Sequence, residues 1–266
     1  MRLAPFLTDH PCRALTKVPS FRTSIVCAAV ALLIGGPGSI ALAQSPPPAA
    51  GPAAAAPMKP LGGERYQIGK IIVDRKAKSF TVPGRVIHID EAPLEYLAVG
   101  RAGAKGYESM LELDTVGTEF NLACILLGLD NSERRRPEFQ FDRRPPEGPR
   151  VVIELQWQAD GKKVRIPAHE ALKTVAPPES GAVPQLPPTE WVYTGSFDPE
   201  GETPYAADVT GTIIGFVHDP ASIIEHRAGL GIGAYGSIQG NAAVVPPIGS
   251  DVELIVTLPA SKTEKK

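Results

Sequence analysis

The sequence predicts a β-rich α+β domain in which antiparallel hairpins form a sheet or sandwich and two or three short helices pack beside it. Three observations carry that expectation. Short runs of β-branched and aromatic residues recur between Gly, Pro, Asn and Asp clusters across residues 64–260. Val151, Ile153, Leu155 and Trp157 alternate with Val152, Glu154, Gln156 and Gln158, the period of a strand with one buried face. Asp160-Gly161 then supplies a dipeptide that tolerates the positive φ angles of a tight hairpin turn. So many short hairpins speak against a doubly wound parallel sheet.

The elements follow in order. Lys70–Asp74 and Ser79–Val82 flank the polar turn Arg75–Lys78, a hairpin, and Arg85–Ile89 continues the second strand. Leu94–Val99 and Tyr107–Leu113 flank Gly100–Gly106 and predict a second hairpin. Glu119–Leu127 predicts a nearly all-apolar helix, with Thr118 as its N-cap and Gly128 as its stop. The turn at Asp160-Gly161 leads into a strand at Lys163–Ile166, and Pro167–Val175 can hold a short helix. Further strands are expected at Trp191–Phe197, Asp208–Val217 and Val252–Leu258. Asp219-Pro220, a cap followed by a first-turn proline, predicts another short helix through Glu225.

Ahead of this domain, residues 1–43 have the three parts of a cleavable signal peptide. Arg13, Lys17 and Arg22 give a positive start, Ile25–Ile34 an apolar core, and Ala41-Leu42-Ala43 a small-residue cleavage site before Gln44. A membrane-spanning helix needs about 20 unbroken apolar residues, and Gly35-Gly36-Pro37-Gly38 ends this run early. The chain is therefore expected in the periplasm, with no stable membrane span after cleavage. Residues 44–63 predict a disordered Pro/Ala-rich linker, residues 64–260 a single globular domain and residues 261–266 a disordered tail.

Cleavage changes the composition. Four of the 27 Lys and Arg and one of the 29 Asp and Glu leave with residues 1–43, so 23 positive charges face 28 negative ones, a net of −5. Nucleic acid, which demands clustered cations, is excluded as a partner class. The run Arg134-Arg135-Arg136 with Arg143-Arg144 is interleaved with Glu133, Glu138 and Asp142, the pattern of a solvated loop. Cys12 and Cys27 are lost, so Cys124 stands alone and no internal disulfide forms.

Several segments in order resemble the YdjY family of exported bacterial envelope proteins. They include Ile72-Val73-Asp74-Arg75, Thr81-Val82-Pro83-Gly84-Arg85-Val86, Leu94-Glu95-Tyr96-Leu97 and Tyr107-Glu108-Ser109-Met110-Leu111. Leu122–Leu129, Trp157, Trp191–Ser196, Tyr205–Asp208 and Asp219-Pro220-Ala221 extend the match. The resemblance implies an exported domain and brings no catalytic residues with it. A ferredoxin-like label attached to some members does not suit this chain, because an iron–sulfur cluster takes about four thiolates and Cys124 is alone. No cofactor is expected.

Candidate sites are few. His218-Asp219 and Glu225-His226 bracket a short segment, so His218 and His226 with neighbouring carboxylates could converge on zinc or copper. Gly231–Gly236 spells GxGxxG without the strand before it and helix after it that a dinucleotide site needs. Ser109 and Ser196 lack a nucleophile elbow, and Cys124 within an apolar helix is expected to be unreactive. Trp157, Trp191, Tyr193, Tyr205 and Tyr235 could form an aromatic platform beside Glu95, Glu108 and Asp208, suited to a peptide, sugar or cationic ligand. The leading expectation is a non-catalytic module that binds an envelope protein or a small ligand. A metal-binding or redox-accessory protein, and a hydrolase acting on envelope polymers, are the alternatives.

Overall fold

The computed structural model describes residues 56–175, 190–198, 204–229 and 237–260. The expected signal peptide, the start of the linker, the GxGxxG run with Tyr235, and the tail lie outside the described residues. Among the described residues there are fourteen strands: β1 Met58–Gly62, β2 Arg65–Ile68, β3 Ile71–Asp74, β4 Ser79–Val86, β5 Tyr96–Val99, β6 Ser109–Leu113, β7 Arg150–Ala159, β8 Lys162–Pro167, β9 Leu172–Val175, β10 Trp191–Tyr193, β11 Thr212–Gly215, β12 Ile224–His226, β13 Ser237–Gly240 and β14 Asp251–Thr257. Two α-helices join them, α1 Gly117–Leu126 and α2 Ala206–Thr210. No helix among the described residues is long and apolar enough to cross a membrane.

The β-rich expectation holds, but the sheet is a closed barrel and not an open sheet or sandwich. Eight strands run β4-β14-β7-β10-β12-β11-β5-β6, and β6 returns to pair with β4. β4 makes closure possible by splitting one of its edges. Ser79–Thr81 pair with β3, whereas Gly84–Val86 pair with β6, and the whole opposite edge pairs with β14. The handover falls at Pro83-Gly84. A Cβ on Gly84 would lie 2.6 Å from the Glu112 carbonyl oxygen, so only glycine lets β6 approach this closely. β7 divides an edge in the same way between β10 and β8.

An eight-stranded barrel leaves an interior that side chains just fill. Phe80, Val82, Ile153, Leu155, Leu254 and Val256 are all buried in one continuous core. Helix α1 lies against it, with the Phe120 ring meeting Phe80 edge-on at 5.1 Å. β3, β2 and β1 extend outward from β4, and β8 from β7. These outer edges are blunted: Lys59 and Pro60 occupy β1, and Lys162, Lys163 and Arg165 occupy β8, all poor templates for another strand.

Five local expectations are corrected. β5 and β6 are parallel and not a hairpin, because residues 100–108 cross back over the barrel. That return is tight: Gly211, at φ 75°, packs so closely that a Cβ there would sit 2.3 Å from the Gly103 Cα. Asp219–Glu225 is not a helix; the Asp219 carboxylate instead accepts the Ala221 N–H at 2.9 Å, and Ile224–His226 enter the sheet. Thr118 is not the cap of α1, since Val116 holds that position and Asp208 of α2 accepts the Thr118 N–H at 2.8 Å. The paired structure begins at Met58, inside the stretch expected to be linker, where β1 pairs with β2. The expected strand across Asp208–Val217 is α2 followed by β11. The first hairpin, the Asp160-Gly161 turn and the Gly128 stop, at φ 90°, are as expected.

Gly84→Ala is expected to destabilise the domain by about 1–3 kcal/mol, the usual cost of forcing a group into filled space. Gly106→Ala is the control, because the nearest atom to its Cβ would be 3.9 Å away. Urea unfolding of the two variants measures the difference.

Candidate functional site

At one rim of the barrel, Tyr96 pairs with both Ser109 and Gly215. Glu95 and Glu108, the residues just before these two strands, therefore stand side by side, and the Glu95 N–H donates to the Glu108 carbonyl at 2.9 Å. Lys105 Nζ donates to Glu108 Oε1 at 2.6 Å and sits 5.9 Å and 5.8 Å from the centres of the Tyr96 and Tyr107 rings. The Gln140 amide donates to Glu95 Oε2 at 3.0 Å. Burial raises the Glu95 carboxyl above its ordinary pKa, and the Glu108 charge adds to this; Lys105 and Gln140 oppose it in part. Tyr107 precedes Glu108 and is 63% exposed, while Phe139 and Phe141 flank Gln140 at 59% and 43%. The rim thus joins two carboxylates with three solvent-facing rings.

Beneath it lies a buried polar network. Tyr96 Oη donates to Asp219 Oδ2 at 2.7 Å, and burial pushes the phenol far above its usual range. Glu225 is fully buried; its two oxygens accept the Asp219 N–H at 2.9 Å and the His218 N–H at 3.2 Å. Loss of water raises its pKa well above the ordinary value, more than these two donors lower it. The Ser222 hydroxyl crowds the same space: a Cβ on Gly215 would be 2.5 Å from Glu225 Oε1 and 2.7 Å from Ser222 Oγ. One His218 ring nitrogen meets the Asp142 carbonyl, and the other the His226 carbonyl at 3.1 Å. This ties residues 139–142 down over the rim, where the Phe141 N–H also donates to the His218 carbonyl at 3.1 Å.

The structure separates the expected site residues. His218 and His226 do come together, but as part of this network. The Ala228 N–H donates to His226 Nδ1 at 3.2 Å, and the His226 ring meets Trp191 edge-on at 4.8 Å. Among the described residues, no group of three or more His, Cys, Asp or Glu is placed to hold a metal ion. Trp191 and Tyr193 are buried at 2% and 0% exposure, so neither offers a face to solvent. Tyr193 Oη donates to Asn121 and Tyr205 Oη to the Gly195 carbonyl, at 2.7 Å and 2.9 Å. Trp157 lies apart, beside a groove on the outer wall. Of the expected platform, the carboxylates Glu95 and Glu108 are at the rim while none of its described aromatics is, and the exposed aromatics there are Tyr107, Phe139 and Phe141. Tyr107 adjoined Glu108 in the sequence, but nothing in the spacing placed Phe139 or Phe141 near it.

A family model described as the YdjY domain matches residues 71–257, which span all eight strands of the barrel. The chain belongs to the YdjY family. No curated protein and no solved structure matches it.

The nucleophile candidates of this YdjY domain are engaged elsewhere. Ser109 Oγ donates to the Lys105 carbonyl and Ser196 Oγ to the Ala221 carbonyl, each at 2.7 Å. Cys124 is fully buried, and burial holds its thiol protonated. The basic loop is also more than a solvated stretch. Arg134 Nη1 donates to the Thr194 carbonyl at 2.7 Å, Arg136 lies 4.7 Å over the Phe197 ring, and Arg144 pairs with Asp142 at 2.7 Å.

Because Glu225 has a raised pKa in the folded chain, the folded state holds a proton that the unfolded state releases above about 4.5, the ordinary value. Stability is therefore expected to fall as pH rises from that point toward the folded-state pKa, by about 1.4 kcal/mol per pH unit at the steepest. Glu225→Gln cannot titrate and is expected to remove this slope, at the cost of one hydrogen bond. Urea midpoints from pH 5 to pH 8 provide the measurement.

Proposed function

We propose that this chain is an exported, non-catalytic binding module of the bacterial envelope, and that its rim holds a cationic segment of a partner protein. One observation carries the reading. The Glu95 carboxylate makes no ion pair among the described residues and accepts an amide hydrogen from Gln140, whose chain neighbours Phe139 and Phe141 are exposed, as is Tyr107 next to Glu108. A lysine or arginine side chain supplies what that arrangement lacks: a charge for Glu95 and a cation for the ring faces. Lys105, set between Glu108 and two tyrosine rings, already displays this geometry within the chain. The filled barrel interior favours a surface ligand over one in the lumen, and the bound serines and buried Cys124 favour a non-catalytic role.

A second reading rests on the same carboxylate pair. Glu95, with its raised pKa, would act as a general acid beside the Lys105-held Glu108 in a hydrolase of envelope polymers. Release of reducing ends from envelope polysaccharide by the native chain, abolished in Glu95→Gln, would replace the binding proposal with this one.

Two measurements test the binding reading. Fractionation is expected to find the chain in the periplasm with its N-terminus at Gln44. Calorimetry with a lysine-rich decapeptide is expected to show binding that weakens with salt, and by about tenfold in Glu95→Gln or Phe139→Ala. The sign of the pH dependence follows from Glu95. Its protonated form cannot attract a cation, so affinity rises as pH climbs through the raised pKa and then levels off. Equal binding by Glu95→Gln would overturn the proposal.

A further inference from the structure

We infer that the outer wall of the barrel carries a second ligand site, a groove for a neutral saccharide. Strands β4, β14, β7 and β8 lie side by side there. Their register sets Pro83 opposite Glu253, Glu253 opposite Gln156, and Gln156 opposite Arg165. Two residues along each strand, Arg85 stands opposite Asp251 and Gln158 opposite Lys163. Side chains alternate between the faces of a strand, so these residues form two polar ranks on one face. The residues between them, such as Val252 and Trp157, are buried with their side chains on the other.

Between the ranks is a groove of about 500 Å³, lined by Pro83, Gln156, Gln158, Lys163, Asp251 and Glu253, with Trp157 at its edge. That volume falls within the ordinary range for small-ligand sites, about 300–1,000 Å³. Gln156 forms the floor, only 8% exposed, and its amide donates to Glu253 Oε2. This bond fixes both groups and leaves the amide oxygen and the second carboxylate oxygen as acceptors. Gln158 and Lys163 add donors.

The chemistry selects the ligand class. A sugar hydroxyl both donates and accepts, which matches a fixed array of amides, carboxylates and one ammonium. An anion is disfavoured by Asp251 and Glu253. An apolar ligand would strip water from these groups without replacing its hydrogen bonds. A cation meets Lys163 inside the groove and Arg85 beside it. The groove continues into a hollow of about 320 Å³ past Gly84 and Asp251, where the arginines are already paired: Arg85 with Glu112 and Arg101 with Asp114, each at 2.9 Å. The extension therefore presents neutralised polar surface, with length for more than one ring.

Nitrogen–proton NMR titration of the intact domain with maltotriose, and separately with a trimer of β-1,4-linked N-acetylglucosamine, tests the site. Shifts from at least one trimer are expected at residues 156–158, 163 and 251–253, with a dissociation constant on the order of 1 mM. The double variant Gln158→Ala, Lys163→Ala alters two exposed side chains at the wall surface and is expected to keep the parent melting temperature while binding about tenfold more weakly. Glu253→Ala, which also releases Gln156, is expected to abolish binding. The lysine-rich peptide, titrated alongside, should shift rim residues 95, 107 and 108 and leave the groove unmoved. Three results would overturn the inference: no shifts from either trimer, shifts confined to the rim, or undiminished binding by both variants.

Discussion

The fold depends on the handover along β4. One edge of this strand serves β3 as far as Thr81 and β6 from Gly84 onward, and the ring of eight strands closes only because the second partner can dock. Gly84 sets the condition, since any side chain would displace the Glu112 carbonyl. Closure in turn fixes the parallel register of β5 on β6. That register, not the local sequence, brings Glu95 and Glu108 together at the rim. A single missing methyl group thus connects the strand order to the arrangement of charge where a ligand is proposed to bind. The filled interior that follows from an eight-strand ring leaves the rim and the wall as the surfaces available for recognition.

Much of the local structure was legible in the residues, because the signals involved act over a few positions. The Asp160-Gly161 turn, the alternation along β7 and the Gly128 stop each rest on backbone or side-chain preferences of adjacent residues. The failures share one cause: a distant partner overrode a local preference. Asp219-Pro220 has the local chemistry of a helix start, but Ile223 and Ile224 gain more from burial between β10 and β11 than from a short exposed helix. Thr118 has the chemistry of a cap, yet Asp208 reaches its N–H from ninety residues away. The crossing between β5 and β6 used glycines at 100, 103 and 211, whose closeness no window of sequence could disclose.

The site was less legible than the fold, for a related reason. Trp191 and Tyr193 are large aromatics that strands readily present to either face, and only the barrel decides that they point into its core. His218 and His226 do converge as their spacing allowed, but they converge on carbonyl oxygens, a backbone N–H and the Trp191 ring. Glu108 was legible because its neighbours in the chain are also its neighbours in space. Phe139 and Phe141 were not, since their position depends on His218 holding residues 139–142 over the rim.

That tie explains why the barrel tolerates a fully buried carboxyl group. Glu225 accepts the His218 and Asp219 N–H groups at a bend where His218 adopts φ 63°, a conformation that a non-glycine residue seldom takes unless its surroundings hold it. An apolar residue at 225 would leave both N–H groups buried without a partner, which generally costs more than a satisfied polar group. The bend directs the His218 ring toward Asp142, and Asp142 is itself fixed by Arg144, whose guanidinium lowers the carboxylate's pKa far below its ordinary range. The arginine-rich loop is therefore one end of a chain of contacts that runs through His218 to Glu225. Its cations are arranged to hold a strap in place. The carboxylates and rings that the strap frames remain the part of this end of the barrel turned toward solvent.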